Sequence, residues 1–338
     1  MKHVWLDGDV LVYRAGYAAE HTFRRISYTF EGTTVSRRFD SKKAALEFLD
    51  EVGLDPTSVK WDVEVETEHE DNAIFNARSM IRNICKQAGT DETNLTVCLS
   101  GPSNFRNGIA VTAGYKENRD PTKKPVHAAA IKAMLRRCYN TLTSENEEAD
   151  DVMAYRHYAL YRMDTDSSVL ATIDKDLNMI PGWHLNFGQT DAEGRYNMYE
   201  VHPTEARRFF WKQMLTGDAT DNIKGVRGIG PVTADKILAA APTETELELM
   251  VWAYYHDAFG TSAAARLLEN GRLLWIRRYP DEWWQIPPTL QEKIDALYHK
   301  TGPEPVAGPA TESASGGGAE LPDHDAVSGL PAAEAVVL

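Results

Sequence analysis

Short apolar runs alternate with helical patterns over the first half of the chain. The runs at 3–7, 95–99 and 169–173 predict three buried core strands. Apolar positions with helical spacing lie between and after these runs, at residues 10–20, 72–87, 126–141 and 147–163. Strands that alternate with helices are typical of a mostly parallel sheet flanked by helices, so we predict an α/β fold.

Two regions depart from this alternation. Residues 21–70 are an insertion with a β-hairpin from Phe23 to Phe39, a helix at 41–51 and a strand at 60–66. From residue 203 the pattern is helical, with helices at 204–216 and 232–240 on either side of a glycine-rich loop and further helices to about residue 300. We therefore expect an α/β domain at 1–202, a helical region at 203–300 and a disordered acidic tail at 301–338.

The distribution of charge along the chain matters more than the net charge for judging a nucleic-acid partner. The net charge of −14 over 338 residues argues against a nucleic-acid partner. However, six of the acids follow Lys300, where there is no Lys or Arg, and a basic strip lies in the polar segment 100–125. A local basic strip can bind phosphate on an acidic protein.

Targeting and cysteine patterns point to a cytoplasmic protein. The N-terminus lacks the apolar core of a signal peptide, and no apolar run is long enough to span a bilayer. Cys85, Cys98 and Cys138 form no CxxC pair, so we expect neither a zinc site nor a disulfide framework.

Acidic residues form four clusters at the positions where chemistry gathers in a parallel sheet. Their members are Asp7 and Asp9; Glu147, Glu148, Asp150 and Asp151; Asp174 and Asp176; and Asp218 and Asp221. Carboxylates that lie close together repel one another, and a divalent cation removes that cost. Mg²⁺ prefers oxygen ligands, and two such ions about 4 Å apart can hydrolyse a phosphodiester. Helix capping explains each cluster alone, but it explains the four together less well.

Two further segments suit phosphate binding. The glycine-rich loop from Gly217 to Pro231 opens a helix, and amides at such a helix start can hold a phosphate. The loop is neither a dinucleotide fingerprint nor a P-loop, and the alternative is a packing turn between helices. In the polar segment, Phe105-Arg106 and Tyr115 to Arg119 combine bases with aromatic rings, which suits single-stranded nucleic acid; the alternative is a solvated loop.

Taken in order, these segments resemble the flap endonuclease/5′→3′ exonuclease family, particularly its phage-type members, over residues 3–240. The matching motifs are Asp7-Gly8, Tyr115-Lys116-x-Asn118-Arg119, Glu148-Ala149-Asp150-Asp151, Asp174-Lys175-Asp176 and Asp218-x-x-Asp221-Asn222-Ile223. Gly225 to Leu238 is similar to the family's helix–three-turn–helix element. The resemblance implies a PIN-like core, a mobile arch at about 100–125, two Mg²⁺ ions for which Mn²⁺ can substitute, and cleavage of DNA at 5′ ends, flaps or single-stranded 5′ arms.

The resemblance also implies a role for particular residues. The metal ligands would be Asp7, Glu148, Asp150 and Asp151 for the first ion, Asp218 and Asp221 for the second, and Asp174 and Asp176 near both. Lys116 would stabilise charge on the scissile phosphate and Arg119 would position it. Contacts to the DNA backbone would come from Arg106, Lys224, Gly225, Arg227, Gly228, Gly230 and Lys236.

The sequence departs from the family pattern at two places. The stretch from Leu99 to Asn104 has no acid where the family usually carries one, so Asp9 or water would have to fill that role. Val232 follows Pro231 where a basic residue is common. Two alternatives stay open: a non-catalytic structure-specific DNA-binding protein and a PIN-type ribonuclease. We expect a function in DNA replication, recombination or repair, in the host cytoplasm if the protein is phage-encoded, with any polymerase or single-strand-binding partner on a separate chain.

Overall fold

The computed structural model describes residues 2–120 and 122–301. The strands are β1 His3–Asp7, β2 Glu20–Phe30, β3 Thr33–Phe39, β4 Lys60–Thr67, β5 Leu95–Leu99, β6 Thr141–Thr143, β7 Ser168–Ala171, β8 Gly182–Thr190, β9 Tyr196–Val201, β10 Gly217–Asp218 and β11 Ile223–Lys224. The helices are α1 Gly8–Tyr17, α2 Lys42–Glu51, α3 Glu70–Ala88, α4 Arg106–Ile109, α5 Ala128–Cys138, α6 Ala149–Tyr161, α7 Pro203–Thr216, α8 Pro231–Ala239, α9 Glu244–Phe259, α10 Ala263–Leu274 and α11 Pro288–Thr301.

A mostly parallel sheet forms the centre of the α/β fold, as predicted. Its strand order is β6-β5-β1-β7-β8-β9, and every neighbouring pair is parallel except β8 with β9. Val4 and Leu6 of β1 are fully buried in a cluster with apolar residues of α1, α3 and α5. Helix α6 contacts β1, β5 and β7 but adds no residue to that cluster, so helices flank both faces of the sheet.

The order of the strands places the ends of β1 and β7 side by side. In the register of this pair, Leu6 lies opposite Ala171, so Asp7 and the segment that follows β7 emerge at the same edge. Side chains after both strands therefore face one crevice, which is where ligands bind in open α/β sheets.

The insertion at 21–70 is a small layer of its own. Strands β2, β3 and β4 form an antiparallel sheet in the order β3-β2-β4, and Ile26 of that sheet packs on Ala45 and Leu49 of α2. The predicted hairpin is confirmed, and its turn residues Glu31 and Gly32 both have positive φ angles, 47° and 78°. Positive φ at both central residues is the geometry of a type I′ turn, which matches the twist of the strands.

The second half of the described chain is mainly helical, again as predicted. Helices α7 and α8 lie on either side of the glycine-rich loop, in which β10 pairs with β11. Residues up to Asp295 form one compact unit, within which the predicted boundary at 202/203 falls between β9 and α7. That division into regions remains a prediction, and all but the first residue of the predicted tail at 301–338 lies outside the described residues. No helix among the described residues is long and apolar enough to cross a membrane.

Candidate active site

Acidic side chains from separate parts of the chain converge on one cleft at the ends of β1 and β7. Six of the eight predicted metal ligands line it: Glu148, Asp150, Asp174, Asp176, Asp218 and Asp221. A seventh, Asp7, lies beside them and is only 3% exposed. Its carboxylate accepts hydrogen bonds from the Val10 amide at 2.9 Å and the Thr172 hydroxyl at 2.8 Å.

The acids deepest in the cleft have raised pKa values. Burial raises the pKa of Asp7 to about 7, and the neighbouring charges of Asp9 and Asp174 add to the shift. Burial also raises the pKa of Asp150 well above its usual range, reinforced by Asp7 and Asp174. These carboxylates have too little positive charge around them, which is the electrostatic state that a divalent cation relieves.

The acids that follow β7 form a second group with the turn after α7. The Asp174 carboxylate accepts a hydrogen bond from the Asp176 amide at 2.9 Å. Burial raises the pKa of Asp176 to about 8, with further contributions from Asp174 and Asp218. The Asp218 pKa is lowered, although burial opposes this, because Asp176 and the Thr220 amide hydrogen-bond to it. Its Oδ2 atom is buried and has no hydrogen-bond partner among the described residues.

Two basic side chains occupy the mouth of the cleft. The Lys116 ammonium group contacts the Glu148 carboxylate and lies 3.5 Å from Asp221 Oδ2. Burial acts to lower the pKa of Lys116, but these two carboxylates raise it above its usual value. The Arg119 guanidinium pairs with Asp221 at 2.5 Å. These two cations therefore neutralise the outer acids. Among the inner ones, Asp176 and Asp218 each lie 3.9 Å from the Lys175 ammonium, whereas Asp7 and Asp150 form no ion pair within the described residues.

The backbone of the polar segment is fastened to the turn after α7. The Lys116 amide donates to the Asp221 carbonyl at 3.0 Å, and the Asn222 side chain donates to the Gly114 carbonyl at 2.9 Å. Lys116 has a φ angle of 55°, which is uncommon for a residue with a side chain. The contacts with the turn hold the lysine in this conformation over the acids.

The tyrosine before the lysine was not among the predicted site residues. The Tyr115 hydroxyl lies 2.9 Å from both Glu148 Oε2 and Asp221 Oδ2. Gln213 was missed as well, and its amide donates to Asp176 at 2.6 Å. Tyr115 is itself the first residue of the motif Tyr115-Lys116-x-Asn118-Arg119, which was an available signal, whereas nothing in the helical pattern around Gln213 marks it.

Arg106 and Asp151 form a buried ion pair behind the cleft. The guanidinium nitrogens lie 2.6 and 2.9 Å from the two Asp151 oxygens, and the side chains are 2% and 0% exposed. Two further guanidinium hydrogens are donated to the carbonyls of Leu273 and Trp275, at 3.0 and 2.7 Å. Arg106 lines the cleft, but its side chain is enclosed and four of its five guanidinium N–H groups are bonded within the protein, so its predicted contact with a DNA phosphate stays a prediction.

Asp151, one of the predicted metal ligands, has further partners within the protein. Besides the Arg106 contacts, its oxygens accept the Arg277 amide at 3.1 Å and the Glu148 amide at 3.1 Å. Burial acts to raise its pKa, but the Arg106 charge and these hydrogen bonds lower it. Asp151 therefore has a complete set of partners within the protein.

The stretch from Leu99 to Asn104, which has no acid, is held in place by hydrogen bonds at Ser100. Asp9 accepts the Ser100 amide at 2.7 Å and the Lys132 ammonium at 2.6 Å, and it does not line the cleft. The Ser100 hydroxyl accepts the Ala149 amide at 3.1 Å, at the start of α6. Asp9 thus fixes the turn after β5 and is directed to that turn and to α5.

The glycine-rich loop presents the predicted phosphate contacts to solvent. Lys224, Arg227 and Lys236 are exposed, and none of them forms an ion pair within the described part of the chain. Gly228 and Gly230 are exposed too, whereas a Cβ atom on Gly225 would come within 2.3 Å of the Gly217 amide nitrogen. Gly225 is thus required by packing, and the two exposed glycines leave the start of α8 open to a ligand.

The sequence resembles proteins whose names describe nucleases. It is 31% identical over 137 residues to flap endonuclease Xni of Colwellia psychrerythraea, covering 37% of this chain and 45% of that protein. It is 29% identical over 171 residues to a 5′-3′ exonuclease of Buchnera aphidicola, covering 48% of this chain and 58% of that protein. DNA polymerase I of Deinococcus radiodurans is 30% identical over 135 residues, which are 37% of this chain and 14% of the polymerase. The chain thus spans less than two thirds of these relatives.

Solved structures align over more of the chain. T5 5′-exonuclease with bound divalent metal ions (zinc) aligns over 88% of this chain and 94% of that one, with 17% identity and a TM-score of 0.48. A T5 flap endonuclease complex with DNA and metal ions covers 89% and 94%, with the same identity of 17% and a TM-score of 0.48. No model of a protein family matches the sequence.

Proposed function

We propose that this chain, which is related in sequence to flap endonucleases and 5′-3′ exonucleases, is a divalent-metal-dependent nuclease that hydrolyses DNA phosphodiesters at 5′ ends or flaps. The observation that carries the proposal is the convergence of seven carboxylates on one cleft, several of them with raised pKa values. Burying like charges together is unfavourable for a fold, so such a site is expected where a cation or a reaction requires it.

The chemistry of the site fits a hard divalent cation. The acidic donors are all oxygen atoms, and the buried Oδ2 of Asp218 has no hydrogen-bond partner in the described chain. The cleft has room for about 30 Å³, and a water-sized occupant needs roughly 10–15 Å³. In the described residues no three acid, His or Cys side chains are arranged to hold a metal as they stand.

The electrostatic coupling of the acids suggests how they divide between two ions, since Asp7 and Asp174 act on Asp150 while Asp174 and Asp218 act on Asp176. Asp7, Asp150 and Asp174 would hold the first ion, and Asp176, Asp218 and Asp174 would hold the second. Glu148 and Asp221 would become available when Lys116 and Arg119 turn toward a substrate phosphate. When bound, two Mg²⁺ or Mn²⁺ ions would supply an activated water and stabilise the leaving oxygen. Asp151 would position Glu148 and α6 rather than bind an ion.

Lys116 and Arg119 would serve the substrate. Both now lie against carboxylates, and a phosphodiester that enters the cleft offers them a competing anion. Lys116 would then stabilise charge that develops on the phosphate, while Arg119 would position it. The Tyr115 hydroxyl, held between Glu148 and Asp221, would keep the segment oriented over the acids.

The exposed loop between α7 and α8 would hold the duplex. Lys224, Arg227 and Lys236 would contact phosphates, and the open amides around Gly228 and Gly230 would approach the backbone closely. On this proposal the helical region at 203–300 binds DNA in the manner of a helix–three-turn–helix element, and the α/β domain at 1–202 performs the chemistry. The polymerase and single-strand-binding partners named above remain predictions.

A cleavage assay with a labelled flap tests the proposal. A duplex with a single-stranded 5′ flap, labelled separately at each end, is incubated with the protein in Mg²⁺, in Mn²⁺ and in EDTA. We expect loss of the 5′ label in either metal but not in EDTA, with product lengths that distinguish trimming from a cut at the branch. Binding without cleavage in any metal would contradict the proposal.

The absence of an acid between Leu99 and Asn104 favours one alternative, a DNA-binding protein that does not cleave. That alternative predicts binding to branched DNA with no product in Mn²⁺. A PIN-type ribonuclease would instead prefer RNA in the same assay, but it leaves the exposed loop before α8 without a purpose.

A further inference from the structure

A second groove lies along α6. It has a volume of about 710 Å³ and is lined by Tyr155, Arg156, Ala159, Arg162, Met163, Arg278, Tyr279 and Pro280. Sites for small ligands commonly measure about 300–1,000 Å³, so the groove is large enough to hold part of a nucleic-acid strand. None of the cleft residues proposed for metal or phosphate belongs to it.

The charge of the groove has a single sign. Three arginines line it, and no acidic side chain does so among the described residues. Arg156 and Arg162 are exposed, and neither forms an ion pair within the part of the chain that the structure describes. On a chain with a net charge of −14, such a concentration of unpaired arginine is a local electropositive site.

Aromatic rings stand among these arginines. Tyr279 is 45% exposed, and its ring meets Tyr158 edge-on at 5.7 Å. Arg162 donates to the Tyr279 hydroxyl at 3.3 Å and lies 5.8 Å from the centre of that ring. The tyrosine is thus held by its ring contact with Tyr158 and by its hydroxyl, while nearly half of its surface stays exposed to solvent, where a base could stack. Ala159, between the arginines on the same helix face, leaves room for one.

The groove is connected to the active cleft through two elements. Helix α6 starts beside Glu148 in the cleft and reaches Arg162 about 14 residues later, which is roughly 20 Å along the helix axis. The opposite wall of the groove is formed by residues 278–280, which come directly after Arg277 in the sequence. The Arg277 amide donates to Asp151 at 3.1 Å, and its side chain donates to Glu147 at 3.0 Å. The Tyr155 hydroxyl reaches Glu147 from the groove side at 3.3 Å.

We infer that this groove binds single-stranded DNA that leaves the active cleft. The inference rests on the proposed nuclease function and adds a path for one strand of its substrate. Arginines that contact phosphates, together with aromatic rings that stack bases, are how proteins hold a single strand without reading its sequence. Arg156 and Arg162 contact the phosphates, and Tyr279 stacks on a base.

The test compares two charge-matched pairs of substitutions. Arg156→Ala with Arg162→Ala removes the two exposed groove cations, and Arg136→Ala with Arg137→Ala removes two exposed arginines from the last turn of α5, which are not part of the groove lining. Affinity for a fluorescent single strand of roughly 16 nucleotides is measured by anisotropy in EDTA, so that cleavage does not contribute. Arg156→Lys with Arg162→Lys preserves the charge.

We expect the groove pair to weaken single-strand binding about tenfold. The slope of log affinity against log salt concentration should become shallower by about 1.4, the value for two phosphate contacts on a single strand. The α5 pair should bind like the unmodified chain, the lysine pair should recover most of the affinity, and Tyr279→Ala should weaken binding at unchanged salt dependence. Equal affinity of the groove pair and the α5 pair would overturn the inference. So would normal DNA binding by the groove pair with loss of affinity for a polyglutamate peptide, which would assign the groove to an acidic protein.

A second readout separates this inference from the proposed nuclease. Cleavage in Mg²⁺ of a blunt duplex, which has no single-stranded arm, should be the same for the groove pair and the unmodified chain, whereas cleavage of a long-armed substrate at limiting enzyme should fall. If the unmodified chain cleaves neither substrate, the proposed function fails while the anisotropy result still decides whether the groove binds DNA. Equal cleavage of the long-armed substrate by the groove pair and the unmodified chain would contradict the inference that the single strand runs through the groove.

Discussion

The acidic cleft and the buried network behind it use the same type of side chain in opposite electrostatic states. Asp150 faces Asp7 and Asp174 and has a raised pKa, mainly because burial opposes its charge. Its neighbour Asp151 is fully buried yet has a lowered pKa, because Arg106 pairs with both of its oxygens. Adjacent residues on one helix are thus separated into an acid that lacks a cation and an acid that already has one.

This difference distinguishes a binding site from a structural contact. A buried carboxylate with a guanidinium partner and amide donors holds elements together, here α6, α4 and the segment after α10. Buried carboxylates without such partners destabilise the fold unless a cation joins them. The predictions below test the two regions separately.

The largest effect is expected from removing an acid between the two proposed ions. Asp174→Ala should reduce metal-dependent cleavage by at least about a thousandfold, or ~4 kcal/mol of barrier, because both ions lose a ligand. Unfolding by denaturant should show no loss of stability, since a pKa raised by burial and nearby acids marks an unfavourable charge. Turnover at the level of the unmodified chain would remove Asp174 from the mechanism.

The matched pair Asp151→Asn and Asp150→Asn separates the two regions directly. Asp151→Asn leaves the buried Arg106 charge without its partner and should lower the free energy of unfolding by about 3–5 kcal/mol. Asp150→Asn should leave stability unchanged or increase it, while abolishing cleavage. Equilibrium denaturation of both variants in EDTA measures this. Equal losses in the free energy of unfolding would show that Asp150 and Asp151 contribute equally to the stability of the fold, which contradicts the account.

A smaller effect is expected from the lysine over the cleft. Lys116→Ala should slow single-turnover cleavage about a hundredfold, the scale of removing one donor to a developing charge, and weaken duplex binding much less. Lys116→Arg provides the control that keeps the positive charge. A change in binding with no change in the single-turnover rate would assign Lys116 to substrate affinity alone.

The smallest effect is expected at the loop before α8. Lys224→Ala with Arg227→Ala should weaken duplex binding about tenfold. The slope of log affinity against log salt concentration should become shallower by about 1.8, the value for two phosphate contacts on a duplex. The rate of the bound complex should be preserved, because neither residue lines the cleft. Substituting Arg136 and Arg137 supplies a charge-matched control. A normal salt dependence would show that the loop does not contact phosphate.

Much of the fold follows from local patterns. The strands at β1, β5 and β7 were predicted within two residues, since buried central strands are continuous apolar runs bounded by polar turns. Strands β6, β8 and β9 were missed. Strand β6 has three residues and exists through its pairing with β5, and β8 and β9 form an antiparallel pair at the other edge of the sheet.

The site could be predicted less completely. The spacing of the acids after β1 and β7 and at the start of α6 was sufficient to bring them together, because strand ends meet at one edge of a parallel sheet. What sequence does not contain is the difference between Asp150 and Asp151, or the burial of Arg106. Both depend on Leu273 to Arg277, more than 120 residues away along the chain, which enclose the guanidinium.

Thermal unfolding as a function of pH, with and without a divalent metal, tests the central claim most directly. Asp7 and Asp176 have pKa values of about 7 and about 8 in the folded chain, well above the ordinary pKa of an aspartate. Between the ordinary pKa and these raised values, the folded state therefore binds more protons than the unfolded state. In EDTA these acids should make stability fall as the pH rises to about 8. Below about pH 6.5 the buried His157 and His184 act in the opposite direction, because burial lowers their pKa values to about 3 and about 4, so the net fall is expected from about pH 6.5 to about pH 8. Asp151 and Asp218 do not oppose this trend, since their lowered pKa values act only in more acidic solution.

Mg²⁺ or Mn²⁺ should reverse the loss by replacing the protons. We predict a rise in melting temperature on adding metal that is large at about pH 8, small at about pH 5 and greatly reduced in Asp150→Asn. Asp151→Asn, where it remains folded, should keep a response to metal. A melting temperature that does not respond to either metal at about pH 8, or that responds equally in Asp150→Asn, would contradict the assignment of the cleft as a divalent-metal site.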